Sequence, residues 1–166
     1  MTPLELVTNQ VRTARGYTRS LLKHTDEATW FDMPSGVSSH VAWQVGHLAT
    51  AQFFLLCDRV RGRRDEDDQL ITKDFMKLFT RGSVADADRT IYPQASEIAD
   101  VFDRVHEQAL RELEALDESV LDDPVEPPHP MFTTKAGAVQ FASQHEFLHA
   151  GQIGMLRRLM GLESLR

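Results

Sequence analysis

The sequence predicts an all-α protein built as a bundle of four long helices. Three observations carry this: four segments repeat apolar residues at helical spacing, no segment sustains strand alternation, and residues that start or stop helices punctuate the segments. The first opens with Thr2, Pro3, Leu4 and Glu5, a capping-box arrangement with proline at the first helical position. Its stripe runs Leu4, Val7, Val11, Ala14, Leu21, and the helix is expected to end near His24. After Pro34, Ser35 and Gly36, a second helix is expected from Ser38 or Ser39 to about Arg61, with Gly62 in the place of a C-terminal glycine. Its core candidates are Val41, Val45, Leu48, Leu55 and Leu56.

Between residues 70 and 93 the periodicity weakens around FMKLF, which reads as a connection with a short helix, long enough to cross a bundle from end to end. Pro93 is expected to open a third helix reaching about Leu116, striped Ile98, Phe102, Val105, Ala109, Leu113, Leu116. The proline-rich run DDPVEPPHPMF then reads as a loop. Thr133 or Thr134 caps the fourth helix, which continues to Gly161 with the stripe Ala138, Ala142, His145, His149, Gln152, Leu156.

A chain of 166 residues with 42% hydrophobic and 26% charged residues suits one domain over residues 1–166. The lone Cys57 cannot form an internal disulfide, and the N-terminal residues lack a secretory pattern, so a reducing cytoplasm is the expected location. Charges interrupt every apolar run well short of the roughly 18 residues that a membrane span needs. A net charge of −7, with acids spread along the chain, argues against a nucleic-acid partner. Arg59, Arg61, Arg63 and Arg64 precede Asp65, Glu66, Asp67 and Asp68, which reads as a helix ending in a solvated, self-neutralising loop.

Residues four apart on an α-helix differ by about 40° in azimuth and about 6 Å in rise, so His145 and His149 project from one face on successive turns. Their stripe also carries Ala142 and Leu156, which aims both imidazoles into the bundle, where two of them can chelate one ion. The competing reading is a pair of core histidines bonded to their neighbours. His47 sits on an otherwise apolar stripe of Trp43, Ala51 and Phe54, and supplies a third ligand if the second and fourth helices are neighbours. Three neutral imidazoles leave positions open on zinc, nickel or iron(II), as in a catalytic site, and no second cluster exists, so one divalent ion per chain is expected.

The run Trp43-Gln-Val-Gly-His47-Leu-Ala-Thr, together with His145-Glu-Phe-Leu-His149-Ala-Gly-Gln152-Ile-Gly-Met-Leu-Arg157-Arg158, resembles the DinB-like superfamily of metal-binding four-helix bundles. The likeness covers nearly the whole chain, FMKLFTRGS included, and is most specific in H-x-x-x-H-x-G-Q. It implies an up-down-down-up bundle with its long crossover between the second and third helices, a metal site at His47, His145 and His149, and a homodimer. The superfamily includes enzymes that use bacillithiol, mycothiol or related small thiols, alongside members with no known activity.

His145, Glu146 and His149 also match the H-E-x-x-H of zinc proteases. A metzincin needs glycine and a third histidine where this chain has Gln152 and Met155, and no downstream helix carries a gluzincin glutamate. A di-iron cage fails because the first two helices lack inward carboxylates. Glu146 reads either as a base or histidine partner, or as an exposed carboxylate one position off the core stripe. Gln152, two turns beyond His145, could orient a ligand, and Trp43 could contact a bound thiol. Cys57 reads as a small buried hydrophobe, and His24, His40, His106 and His129 as surface or loop residues.

The expected function is thus a metal-dependent enzyme acting with a small thiol on a small-molecule substrate, of S-transferase type. The alternatives are a non-catalytic metal- or ligand-binding dimer and a metal-dependent hydrolase. An open pocket beside the triad favours an enzyme, and a sealed core favours the non-catalytic reading.

Overall fold

The computed structural model describes residues 1–165 and is mostly helical. Four long helices dominate. Helix α1 spans Pro3–Lys23, α2 spans Val41–Gln52 and runs on without a break as a π-helix over Phe53–Arg61, α5 spans Ala95–Glu114, and α6 spans Lys135–Leu159. Two shorter helices, α3 (Asp67–Leu70) and α4 (Lys73–Phe79), lie between α2 and α5. Helix α1 packs along α6 and α2 along α5, while α2 and its π-helical end also meet α6, so one core forms among all four. No helix of the described residues is long and apolar enough to cross a membrane.

Local chemistry sets the boundaries. The Thr2 hydroxyl accepts from the Glu5 amide at 3.2 Å while the Glu5 carboxylate accepts from the Thr2 amide at 2.8 Å, completing the anticipated capping box of α1. At the other end of α1, the buried Arg157 of α6 donates to the carbonyls of Leu21 and His24 and to the Thr25 hydroxyl, satisfying groups that the helix end leaves free. Thr134 caps α6 by accepting from Gly137 at 3.2 Å. Helix α2 starts later than Ser38 or Ser39: its cap is His40, whose Nδ1 accepts from the Trp43 amide at 3.1 Å. His40 is therefore buried, not superficial, because a cap between packed segments is shielded with them. Helix α5 likewise starts at Ala95, beyond Pro93, where the Glu97 carboxylate accepts from the Gln94 amide.

The proline-rich run read as a loop is instead a two-stranded antiparallel hairpin, with β1 at Pro124–His129 and β2 at Phe132–Thr134. Its Val125 and Phe132 turn inward and are buried, which is enough to seat a short edge ribbon on α6 and the π-helix. The charged stretch after α2 is also less solvated than expected. The Arg61 side chain is covered and pairs with Asp67 at 2.8 Å and Glu112 at 3.2 Å, and Asp67 is buried, while Arg63, Arg64, Asp65, Glu66 and Asp68 stay exposed.

Candidate metal centre

Helix α6 carries His145 and His149 on adjacent turns, and α2 brings His47 against them. One donor nitrogen from each lies within 4.8 Å of the others. The Nε2 atoms of His47 and His145 are 3.4 Å apart, close to the separation of about 3.3–3.4 Å between two nitrogens bound at about 2.0–2.1 Å to a tetrahedral ion.

Two of the rings are oriented from behind. The His47 Nδ1–H donates to the carbonyl of Phe79 at 2.7 Å, and the His149 Nδ1–H donates to Gln44 Oε1 at 2.6 Å. The Gln44 amide is itself fixed by donating to the Ser39 hydroxyl at 2.8 Å, which turns its oxygen toward His149. With Nδ1 protonated on both, each Nε2 keeps a lone pair free to ligate, and with His145 close by the three rings fit one metal ion. Burial lowers all three imidazole pKa values, and in His145 and His149 repulsion from neighbouring histidines adds to it, bringing them to about 4 and about 3. The rings are thus neutral near pH 7, as ligation requires.

The triad opens into a cavity of about 870 Å³. Trp43 stacks on His47 at 4.9 Å with planes 7° apart, and its indole N–H donates to the Ser83 hydroxyl at 3.2 Å. Phe54 and Phe141 form more of the apolar wall, and the hairpin contributes His129, Pro130 and Met131 to the rim. The hairpin is held by stacking of His129 on Phe132 at 4.2 Å and by the contact of Phe132 with Phe141.

The other anticipated residues lie elsewhere. Glu146 is neither on the cavity wall nor exposed. Lying one residue from His145, it is turned about 100° round α6, toward α1, where its carboxylate accepts from Arg15 Nε at 2.6 Å in a pair that is almost wholly buried. Arg15 also donates to the Phe102 carbonyl at 2.5 Å and to Gln52 Oε1 at 2.8 Å, and its guanidinium lies over the Phe102 ring. His106, expected at the surface, is buried in this same network, 3.3 Å from Gln52 Oε1, because its place on α5 faces the bundle interior. Gln152 is half-buried, makes no side-chain hydrogen bond among the described residues, and does not line the cavity. It shares the histidine stripe but lies about 10 Å along the axis from His145. Cys57 is buried, with its thiol pushed up to about 11 by desolvation, as suits a core residue.

Sequence reasoning did not find Gln44, the Phe79 carbonyl, Arg59 or Arg81 as parts of the site. Gln44 carried a signal, since it lies three residues before His47 on one helix. The Phe79 carbonyl carried none, because a backbone group 32 residues away has no identity to read.

These features define a helical protein whose three inward histidines could hold one metal ion at the floor of an open cavity. The family model of the DinB superfamily matches residues 10–153, and the chain belongs to that superfamily. No curated protein matches it.

Proposed function

We propose that this chain is an enzyme of the up-down-down-up four-helix bundle type that holds one divalent ion at His47, His145 and His149 and joins a small thiol to an electrophilic small molecule. The observation that carries this reading is the cavity: the triad faces about 870 Å³ of open, largely apolar space instead of a sealed core. Bound at the triad, zinc, nickel or iron(II) supplies Lewis acidity, which favours the thiolate form of a ligand thiol at neutral pH. His47 and His149 stay neutral and fixed in direction through their bonds to Phe79 and Gln44. Trp43 covers one face of His47, and Phe54 and Phe141 give the cavity an apolar wall beside the triad. Overall, the thiol sulfur bonds to the electrophilic atom while a leaving group departs and the thiol proton is released.

A twofold homodimer is part of this proposal. Its support is the exposed apolar surface on α6, where Leu148 is 61% and Leu159 51% exposed, with Met155 between them. Light scattering that gives a monomer mass over a wide concentration range would refute it.

The function is tested by assaying metal-loaded wild type and His47→Ala with a panel of small thiols and electrophiles, and separately with casein and short peptides. Turnover that needs both thiol and His47 is expected. Metal-dependent peptide cleavage without thiol turnover would overturn the reading in favour of a hydrolase.

A further inference from the structure

The cavity over the triad is cationic although the chain is acidic. Its lining includes Arg59 and Arg81 and no aspartate or glutamate. Among the described residues neither arginine has an ion-pair partner. Their neighbours differ: Arg61 is paired with Asp67 and Glu112, Arg63 with Asp68, and Arg64 with Glu112. Arg59 is the member of that basic run left without a carboxylate, and its Nε is buried with no acceptor. A guanidinium N–H withdrawn from water and left unbonded is unfavourable until an acceptor arrives.

The π-helix places this charge. In an uninterrupted α-helix, residue 58 would lie about 20° from His47 in azimuth and residue 59 about 120° away, so an aspartate would extend the histidine face. The wider turns over Phe53–Arg61 shift the phase, and Arg59, not Asp58, reaches the cavity wall. Arg81 joins it from the segment after α4, and the fields of both arginines reach His129 at the rim.

We infer that the small molecule received here is a carboxylate, whose anionic end is held by Arg59 and Arg81 while its reactive end faces His47, His145 and His149. This inference rests on the thiol reading above for what happens at the reactive end, but not for the charge of the ligand. Planar guanidinium groups match the two oxygens of a carboxylate. In a chain of net charge −7, a local cationic funnel is what lets an anion approach.

The test is calorimetric titration of the zinc-loaded protein with three probes: 3-mercaptopropionate, its neutral amide 3-mercaptopropionamide, and succinate, which has no thiol. The acid is expected to bind at least about tenfold more tightly than the amide. That preference should fall in Arg59→Gln and in the exposed-site variant Arg81→Gln, and in wild type at high salt. The salt dependence needs no variant to fold. Equal affinity for acid and amide would overturn the inference and leave the thiol reading standing. Succinate binding as tightly as the mercapto acid, with the amide inert, would uphold the inference and count against the thiol reading. Absence of binding by all three would overturn the inference.

Discussion

A Cβ on Gly46 would lie 2.5 Å from the ring of Phe79, so the glycine beside His47 is what allows α4 to press its phenylalanine against α2. The same Phe79 offers the carbonyl that orients His47. Ring and carbonyl belong to one residue, so displacing the first moves the second. Gly46→Ala is therefore expected to weaken metal binding about 10- to 100-fold and to cost about 1–3 kcal/mol through overpacking. Gly151→Ala, where a Cβ meets open space, serves as the control and should change neither unfavourably. Metal titration and urea unfolding of both variants measure this; an unaltered metal affinity in Gly46→Ala would disprove the coupling.

Gln44 acts on the second ring as Phe79 acts on the first. Gln44→Leu removes the acceptor for the His149 Nδ1–H and should lower metal affinity by about 10- to 100-fold. Gln44→Glu keeps an oxygen in place and should retain most of it. Indistinguishable affinities for the two variants would show that the bond to His149 does not position the ring.

Glu146 is expected to matter for folding rather than for chemistry. Glu146→Ala strands the buried Arg15 charge and should destabilise the protein by about 3–5 kcal/mol, whereas the double variant Arg15→Met, Glu146→Leu should recover much of the loss. Metal content should survive in whatever fraction remains folded. Full stability in Glu146→Gln combined with lost turnover would restore a catalytic role to this residue.

The buried His106 makes stability depend on pH. Burial, and then the field of Arg15, lowers its pKa to about 3 in the folded protein, against about 6.5 when unfolded. Below the higher value the unfolded chain takes up a proton that the folded chain refuses. The contribution of His106 is therefore complete above about pH 6.5 and is lost progressively as pH falls toward 3, by a few kcal/mol in order of magnitude. Urea midpoints between pH 7 and 4 should fall less steeply in His106→Gln than in wild type. Parallel slopes would disprove the assignment.

These residues also show what can be read from a sequence and what cannot. His145 and His149 were legible because four-residue spacing on an apolar stripe is a local property, and His47 because its own stripe has no other polar group. The core positions Val45, Leu48, Phe102, Val105 and Leu156 followed from the same periodicity and are buried. Glu146 was misplaced because periodicity locates a face but does not reveal that Arg15 waits on it, 131 residues away. Arg59 was not legible as a site residue because the acidic run after it reads as its neutraliser, and the π-helical turns that bring it to the cavity leave no mark in the sequence. In the hairpin there was no alternation to read, because each short strand buries a single residue, Val125 in β1 and Phe132 in β2.

Arg15 reaches from α1 to Glu146 on α6, Gln52 at the end of α2 and the Phe102 carbonyl on α5, so one side chain touches all four long helices. It does so off the metal-facing stripe of α6, about 100° round the helix from His145. The helices are thus fastened to one another at a point where no ion is needed, and the histidines are a socket in a frame already standing, not a staple that closes it. Protein stripped with a chelator should keep its helical circular dichroism and unfold cooperatively. Ions would then come and go through the cavity mouth without the chain refolding around them, and the supply of metal in the surroundings, not the path of folding, would decide which ion the protein carries.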